Sequence, residues 1–362
     1  MTATPLAQWG NDLYTGNRSY DIVGKRRRWY TATMVFALAS VVLLLVNGLT
    51  PSIDFRGGSE FTVAGVSDTT QQIGVDAVLS VAPMESPRVT VVGSSAMRVQ
   101  TGEMDADTVR TVAAALADAY EVPVEQVSST AVGPTWGASV TSKALNGLVI
   151  FLLLAMVFMA VYFRTWRMST AAVASLGLDL LITVGIYAAL GWEVSPATVI
   201  GLLTILSYSI YDTVVVFDKV RENTANVLAQ HRFTYAELVN LAVNQTLVRS
   251  LNTSIVALLP VGGILFIGAL LLGAGTLRDI ALALFVGMAV GTVLSVFFAA
   301  PFQVTLRERE DAIAQHTKEV LDARVAGPTT DDGRTPVQVR SLVAGTHLGQ
   351  KAQPRRRKGG RR

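Results

Sequence analysis

The chain has 362 residues, of which 51% are hydrophobic and only 16% charged, and its mean hydropathy is +0.43. A typical soluble domain is about 25% charged, so this balance argues against a soluble enzyme and excludes a disordered chain. The absence of Cys removes disulfides and thiol chemistry; the net charge of +3 arises largely at the chain ends.

About 20 residues at about 1.5 Å rise cross a hydrocarbon core of about 30 Å, and six stretches reach that length: 30–49, 145–163, 171–191, 196–217, 251–273 and 280–302. The first follows a segment, 1–29, that holds Arg18 and Lys25-Arg26-Arg27-Arg28. It starts too late for a cleaved signal and five spans follow, so it reads as a retained helix. Residues 50–141 form a separate soluble domain long enough for its own small core. Within it the pattern predicts strands at 61–66, 88–92, 96–100 and 126–132 and helices at 69–82 and 105–120. The order βαββαβ predicts a ferredoxin-like α+β fold. Residues 142–302 make the bundle of the remaining spans. Beyond it, 303–325 reads as a charged helix and the rest of 303–362 as a disordered basic tail ending Arg355-Arg356-Arg357-Lys358.

Orientation follows from Lys and Arg near the spans. The N-terminal flank, Arg164 and Arg167, then Lys219, Arg221, Arg232 and Arg249, fall on one side together with the basic tail, while residues 50–141 hold eleven Asp or Glu and four Arg. The expectation is a multi-pass bacterial inner-membrane protein with both termini cytoplasmic and the α+β domain extracytoplasmic, between the first and second spans of an all-α bundle.

A carboxylate inside a span costs roughly 2.5 to 3.5 kcal/mol unless it finds a partner, water or a proton. Asp212 in the fourth span lies about 24 Å along its helix from Pro196, and Asp179 sits near mid-depth in the third span. Arg249 opens the fifth span at a depth similar to that of Asp212, so the two are candidate neighbours for proton coupling. The plainer alternatives are a snorkelling Arg249 and an Asp179 that only bonds between helices. Asp218 is expected to pair with Lys219 or Arg221. Pro260, followed by Gly262-Gly263, marks an expected kink. After the first span, Asp54-Phe55-Arg56-Gly57-Gly58 predicts a tight backbone turn. Asp54 and Glu60 beside it could collect protons at the outer mouth, with plain surface solvation as the alternative. No nucleotide motif occurs, and the three scattered His, at 231, 316 and 347, make no metal site. No cofactor is expected.

These motifs resemble the SecF family of the bacterial SecDF accessory complex. The likeness rests on Asp54-Phe55-Arg56-Gly57-Gly58, Val132-Gly133-Pro134, Asp179, the Tyr211-Asp212-Thr213 run through Asn223, Asn244-Gln245-Thr246-Leu247, and Arg249 through Ser254. It covers roughly 25–305 and leaves out the tails. Leu178 stands where the family often carries His before the Asp. The resemblance implies a six-span half of a resistance-nodulation-division-like architecture that is not an enzyme. Its implied partners are SecD, the SecYEG channel, the translocating polypeptide, protons and membrane lipids, with YajC as a further candidate. Asp212 would be the proton-pathway Asp, Arg249 its functional Arg and Asp179 the second intramembrane Asp. Two other readings suit the same sequence: a half-transporter of the same superfamily that exports a lipid or small molecule, and a non-conducting scaffold.

Overall fold

The computed structural model describes residues 5–15, 17–93, 95–269 and 275–326. The expected disorder of the basic tail falls after 326, outside the described residues. Helix α1, Pro5–Thr15, precedes the first long helix, α2, Arg26–Asn47. Then come the two-residue strand β1, Thr50–Pro51, and one helical turn, α3, Ile53–Arg56. The mixed domain follows as β2 Gly58–Ala64, α4 Gln71–Val81, β3 Arg88–Val92, β4 Ala96–Thr101, α5 Ala106–Ala119 and β5 Val127–Val132. Five further helical stretches complete the bundle: α6 Pro134–Phe163, α7 Trp166–Leu190, α8 Pro196–Thr224, α9 Tyr235–Gly263 and α10 Gly275–Leu294. The short strand β6, Glu193–Val194, separates α7 from α8. Two wider π-helical turns extend the helices, Ile264–Ala269 after α9 and Ser295–Ala299 after α10, the latter running on into α11, Ala300–Arg307. Last is α12, Asp311–Ala326. Six of these helical runs are long and apolar enough to cross a membrane.

Small residues allow the helices to approach closely, which in lipid replaces the missing hydrophobic drive between them. A Cβ on Gly185 of α7 would run into Ser40 of α2, one on Gly201 of α8 would lie 2.7 Å from Ala283 of α10, and one on Gly287 would strike Ile205. In the mixed domain the four strands pair antiparallel in the order β3-β4-β2-β5. Alternation along the strands turns Phe61, Val63, Met97 and Val99 to one face, where Val78 of α4 and Val112 and Leu116 of α5 close the core.

Several bounds differ from the sequence reading. The second apolar stretch is preceded by a further helical stretch back to Pro134, because Pro at the first helical position suits a start and Gly137 leaves room for the Phe55 carbonyl, 2.7 Å from where a Cβ would stand. The charged helix expected at 303–325 is two helices. Glu310 joins Arg307 at 2.6 Å and Arg167 at 2.5 Å, which anchors the turn between them. Helix α1 was not anticipated. It packs on α9 through the fully buried Leu13 and through Gly10 against Val248. Beyond it, Asn244 accepts from the Tyr20 N–H at 2.7 Å and Asn240 from the Ile22 N–H at 2.9 Å, so two amide side chains of α9 hold the approach to α2.

The mixed domain is seated on the α7–α8 turn. β1 pairs in parallel with β6, Arg88 donates to the Gly191 carbonyl at 3.2 Å, Gln100 donates to Glu193 at 3.1 Å, and Arg98 lies 3.7 Å from the same carboxylate.

Candidate functional site in the helix bundle

Asp179 of α7 and Asp212 of α8 are both buried, 1% and 3% exposed. Helical spacing sets what each can meet. Asp212 and Tyr211 are adjacent, so their side chains diverge by about 100° around the helix: Asp212 turns inward and Tyr211 outward, where it is 52% exposed. Inside, the Ser295 hydroxyl donates to Asp212 Oδ2. Outside, the Arg249 guanidinium donates to the Tyr211 hydroxyl at 3.3 Å. The expected Asp212–Arg249 contact is therefore absent: Arg249, from α9, meets the Tyr211 face of α8, and Asp212 points about 100° away from it.

Asp179 receives a long hydrogen bond, 3.5 Å, from Thr183 Oγ1 on its Oδ1. Its Oδ2 has no well-formed partner, although the Ser209 hydroxyl of α8 lies beside it, also unsatisfied. Both oxygens converge on Gly291 of α10, where a Cβ would stand 2.7 Å from Asp179 Oδ2 and 3.2 Å from Ser209 Oγ. Among the described residues neither carboxyl has a cationic partner. The polar groups that do meet them are hydroxyls: Thr183 and Ser209 at Asp179 and Ser295 at Asp212. Elsewhere among the described residues of the bundle, Ser175, Thr213 and Ser250 are buried without partners, and Ser254 meets Thr292 at 2.7 Å. An ionised carboxylate at either aspartate is costly to maintain, a cost the neutral carboxyl does not carry.

Asp218 was expected to pair with Lys219 or Arg221. It instead accepts from the Tyr162 hydroxyl of α6 at 2.7 Å. Lys219, adjacent to it and so on another face of the helix, pairs with Glu222 three residues on, at 2.8 Å. At Pro260 the helix continues to Gly263 and then widens into the π-helical turn 264–269. A proline lacks the N–H that would bond the preceding turn, and a local change of helix type is one way to absorb that loss.

The glycine motif forms the joint between bundle and domain. Gly57 has φ +79 and Gly58 φ +133, both in the region that favours glycine. A Cβ on Gly57 would lie 3.0 Å from the Pro134 backbone, and one on Gly58 would strike the Thr101 carbonyl. Ser52 donates to Asp54 at 3.2 Å. Asp54 and Glu60, separated in sequence by the turn, line one polar cavity of about 320 Å3 with Arg98, Glu193, Ser195 and Asp279. Asp279, at the start of α10, accepts from Ser195 Oγ at 2.7 Å, and Ser195 also caps α8. Ser295, Gly291, Glu193 and Asp279 were not singled out from the sequence. A Gly and a Ser four residues apart in an apolar helix place two small positions on one face, but nothing local reveals what lies opposite.

Comparison with known proteins follows the same lines. The family model described as protein export membrane protein SecD/SecF, C-terminal, matches residues 111–309, and the SecD/SecF GG motif matches residues 42–64. A protein translocase subunit SecF of Streptomyces coelicolor is 42% identical over 331 residues, 89% of this chain and 86% of that one. A SecF subunit of Mycobacterium tuberculosis is 38% identical over 96% of this chain and 82% of its own length. The crystal structure of SecDF, a translocon-associated membrane protein from Thermus thermophilus, superposes with a TM-score of 0.71 at 29% identity, over 81% of this chain and 39% of that longer chain.

Proposed function

This chain belongs to the SecF family of protein-export membrane proteins, and from that premise we propose that it serves Sec-dependent export by carrying protons through its bundle. It is a multi-pass membrane protein and an accessory subunit of the Sec machinery. The observation that carries the proton reading is the pair of buried carboxyls, Asp179 and Asp212, each met by serine or threonine hydroxyls and, among the described residues, by no cation. Such groups can hold a proton in transit, and their proton occupancy changes what α7, α8 and α10 gain by staying in contact.

SecD completes the unit in this proposal, making a twelve-span complex that meets the SecYEG channel and, as a further candidate, YajC. Support comes from the side of α8 and α9 that carries Tyr211, Arg249 and Asn252, all exposed at span depth. An uncovered guanidinium in lipid is costly, so a partner helix carrying a carboxylate suits this face. Arg249 would then act across the interface, and the route from Asp212 to it would pass between subunits. The mixed domain, with its strand order β5-β2-β4-β3, is taken as ferredoxin-like and extracytoplasmic, and both termini as cytoplasmic. In that orientation the cavity holding Asp54, Glu60, Glu193 and Asp279 opens on the outer side, where protons enter. No chemical step on a substrate is involved, in line with the translocase-subunit names of the relatives.

The test is export of a secretory precursor into inverted membrane vesicles containing the SecD partner, with and without a proton gradient. Asp212→Asn should lose the gradient-dependent gain and still co-purify with the partner. An equal gain in mutant and wild type would make the chain a scaffold.

A further inference from the structure

The two buried carboxyls lie on different helices, α7 and α8, yet both touch the same third helix. Gly291 of α10 faces Asp179 Oδ2, and Ser295, four residues on, donates to Asp212 Oδ2. Positions four apart lie one above the other on a helix face, so one stripe of α10 forms the wall for both groups. The stripe departs from regular helix at this point: Ser295 begins the π-helical turn Ser295–Ala299. A π turn rotates the residues after it relative to a regular helix and is frequent at functional sites. The two contacts differ in kind. At Gly291 the absence of a side chain admits the carboxyl to the helix backbone, since a Cβ there would sit 2.7 Å from the oxygen. At Ser295 a hydroxyl that is fully buried, and that also lies 3.1 Å from the Thr292 carbonyl, can donate to only one of these acceptors at a time.

We propose that Gly291 and Ser295 are positioning residues for proton coupling, Gly291 by seating Asp179 against α10 and Ser295 by presenting its hydroxyl to Asp212 or to the Thr292 carbonyl. This rests on the proton-carrying role proposed for the two aspartates. An ionised Asp212 accepts a hydrogen bond from the Ser295 hydroxyl. A protonated Asp212 has its own O–H to donate, so the serine hydroxyl is free to turn to Thr292. The contact between α8 and α10 thereby changes with proton occupancy, and the only covalent bond made or broken is the O–H of the Asp212 carboxyl.

The same vesicle assay tests this with Ser295→Ala, Ser295→Thr, Gly291→Ala and Asp212→Asn, each checked for co-purification with SecD. Loss of a hydrogen bond to a charged group corresponds to roughly a tenfold change, and Ser295→Ala is expected to cut the gradient-dependent gain by about that factor. Ser295→Thr, which restores a hydroxyl, should recover most of it, and Gly291→Ala should lower the gain in a complex that still assembles. If Gly291→Ala fails to assemble, the Ala and Thr variants at 295 decide. Wild-type gain in Ser295→Ala alongside a null Asp212→Asn overturns the positioning role and leaves the proton reading standing. Equal loss in Ser295→Ala and Ser295→Thr assigns the site to packing and also overturns it. A normal gain in Asp212→Asn removes the premise and the inference together.

Discussion

Asp105 and Asp212 are both carboxyls next to helices, and they differ in the donors within reach. Asp105 sits before α5 and accepts from the backbone N–H of Thr108 and of Asp107, each at 3.0 Å, and from the Thr108 hydroxyl at 2.7 Å. The Thr108 bonds hold its carboxyl below the ordinary 3.8. A lowered value means that the cap contributes fully at neutral pH, and that its contribution is lost as pH falls through the folded group's range. Asp105→Ala should therefore lower the heat-unfolding midpoint of the mixed domain at pH 7. The gap to wild type should close in acid below 3.8, while Asp105→Asn, itself a good cap, keeps most of the midpoint at neutral pH. Circular dichroism melts across pH check this. Asp212 lies inside α8, where the backbone donors are already used by the helix, so a side chain from another helix must supply the bond. The sequence reading put Asp105 inside the helix at 105–120, one residue from the cap position it takes, whereas nothing near Asp212 pointed to Ser295: the two are 83 positions apart.

For whole elements, the glycine turn and the start of α6 show how the bundle and the mixed domain are tied. Gly57→Ala must hold φ +79, which costs an L-residue roughly 1–2 kcal/mol. Gly58→Ala adds a collision with the Thr101 carbonyl and should be the more damaging of the two, as read by the yield and melting point of the detergent-solubilised protein. The turn itself was legible, since paired glycines after an apolar span announce a reversal. Its tight fit against Pro134 and β4 was not, because that depends on where the sheet lies. Similarly, α6 begins eleven residues before the apolar stretch that marks it, since hydropathy reports which part of a helix lipid covers and says little about where backbone hydrogen bonding starts. The helix α1 went unseen for a related reason: its apolar residues Trp9 and Leu13 are few, and only Val248 and the rest of α9 show what they are for.

Considered as a whole, the protein combines a bundle whose inner faces are polar at a few chosen points with a domain seated on one end of it. Orientation and the partner face can both be tested in the natural cysteine-free background. Met84→Cys, at a position 97% exposed in the mixed domain, should react with a membrane-impermeant thiol reagent in intact cells, and Val325→Cys, 90% exposed on α12, should react only after lysis. The reverse labelling would invert the proposed topology. Asn252→Cys, on the face with Arg249, should cross-link to SecD, while Leu154→Cys, 64% exposed on the apolar side of α6, should not. The sequence by itself determined six runs long and apolar enough to cross a membrane, the mixed domain's element order, and the place of Asp179 and Asp212 within two of those runs, because hydropathy runs, strand and helix periods and isolated charges are all local signals. Only the tertiary structure decided that Asp212 faces Ser295 and not Arg249, that Asp179 lies against Gly291, and that Glu193 ties the domain to the bundle. Each of these contacts joins residues remote in the chain, and which of them meet depends on how helices rotate and how closely small residues let them approach, which no short stretch of sequence specifies.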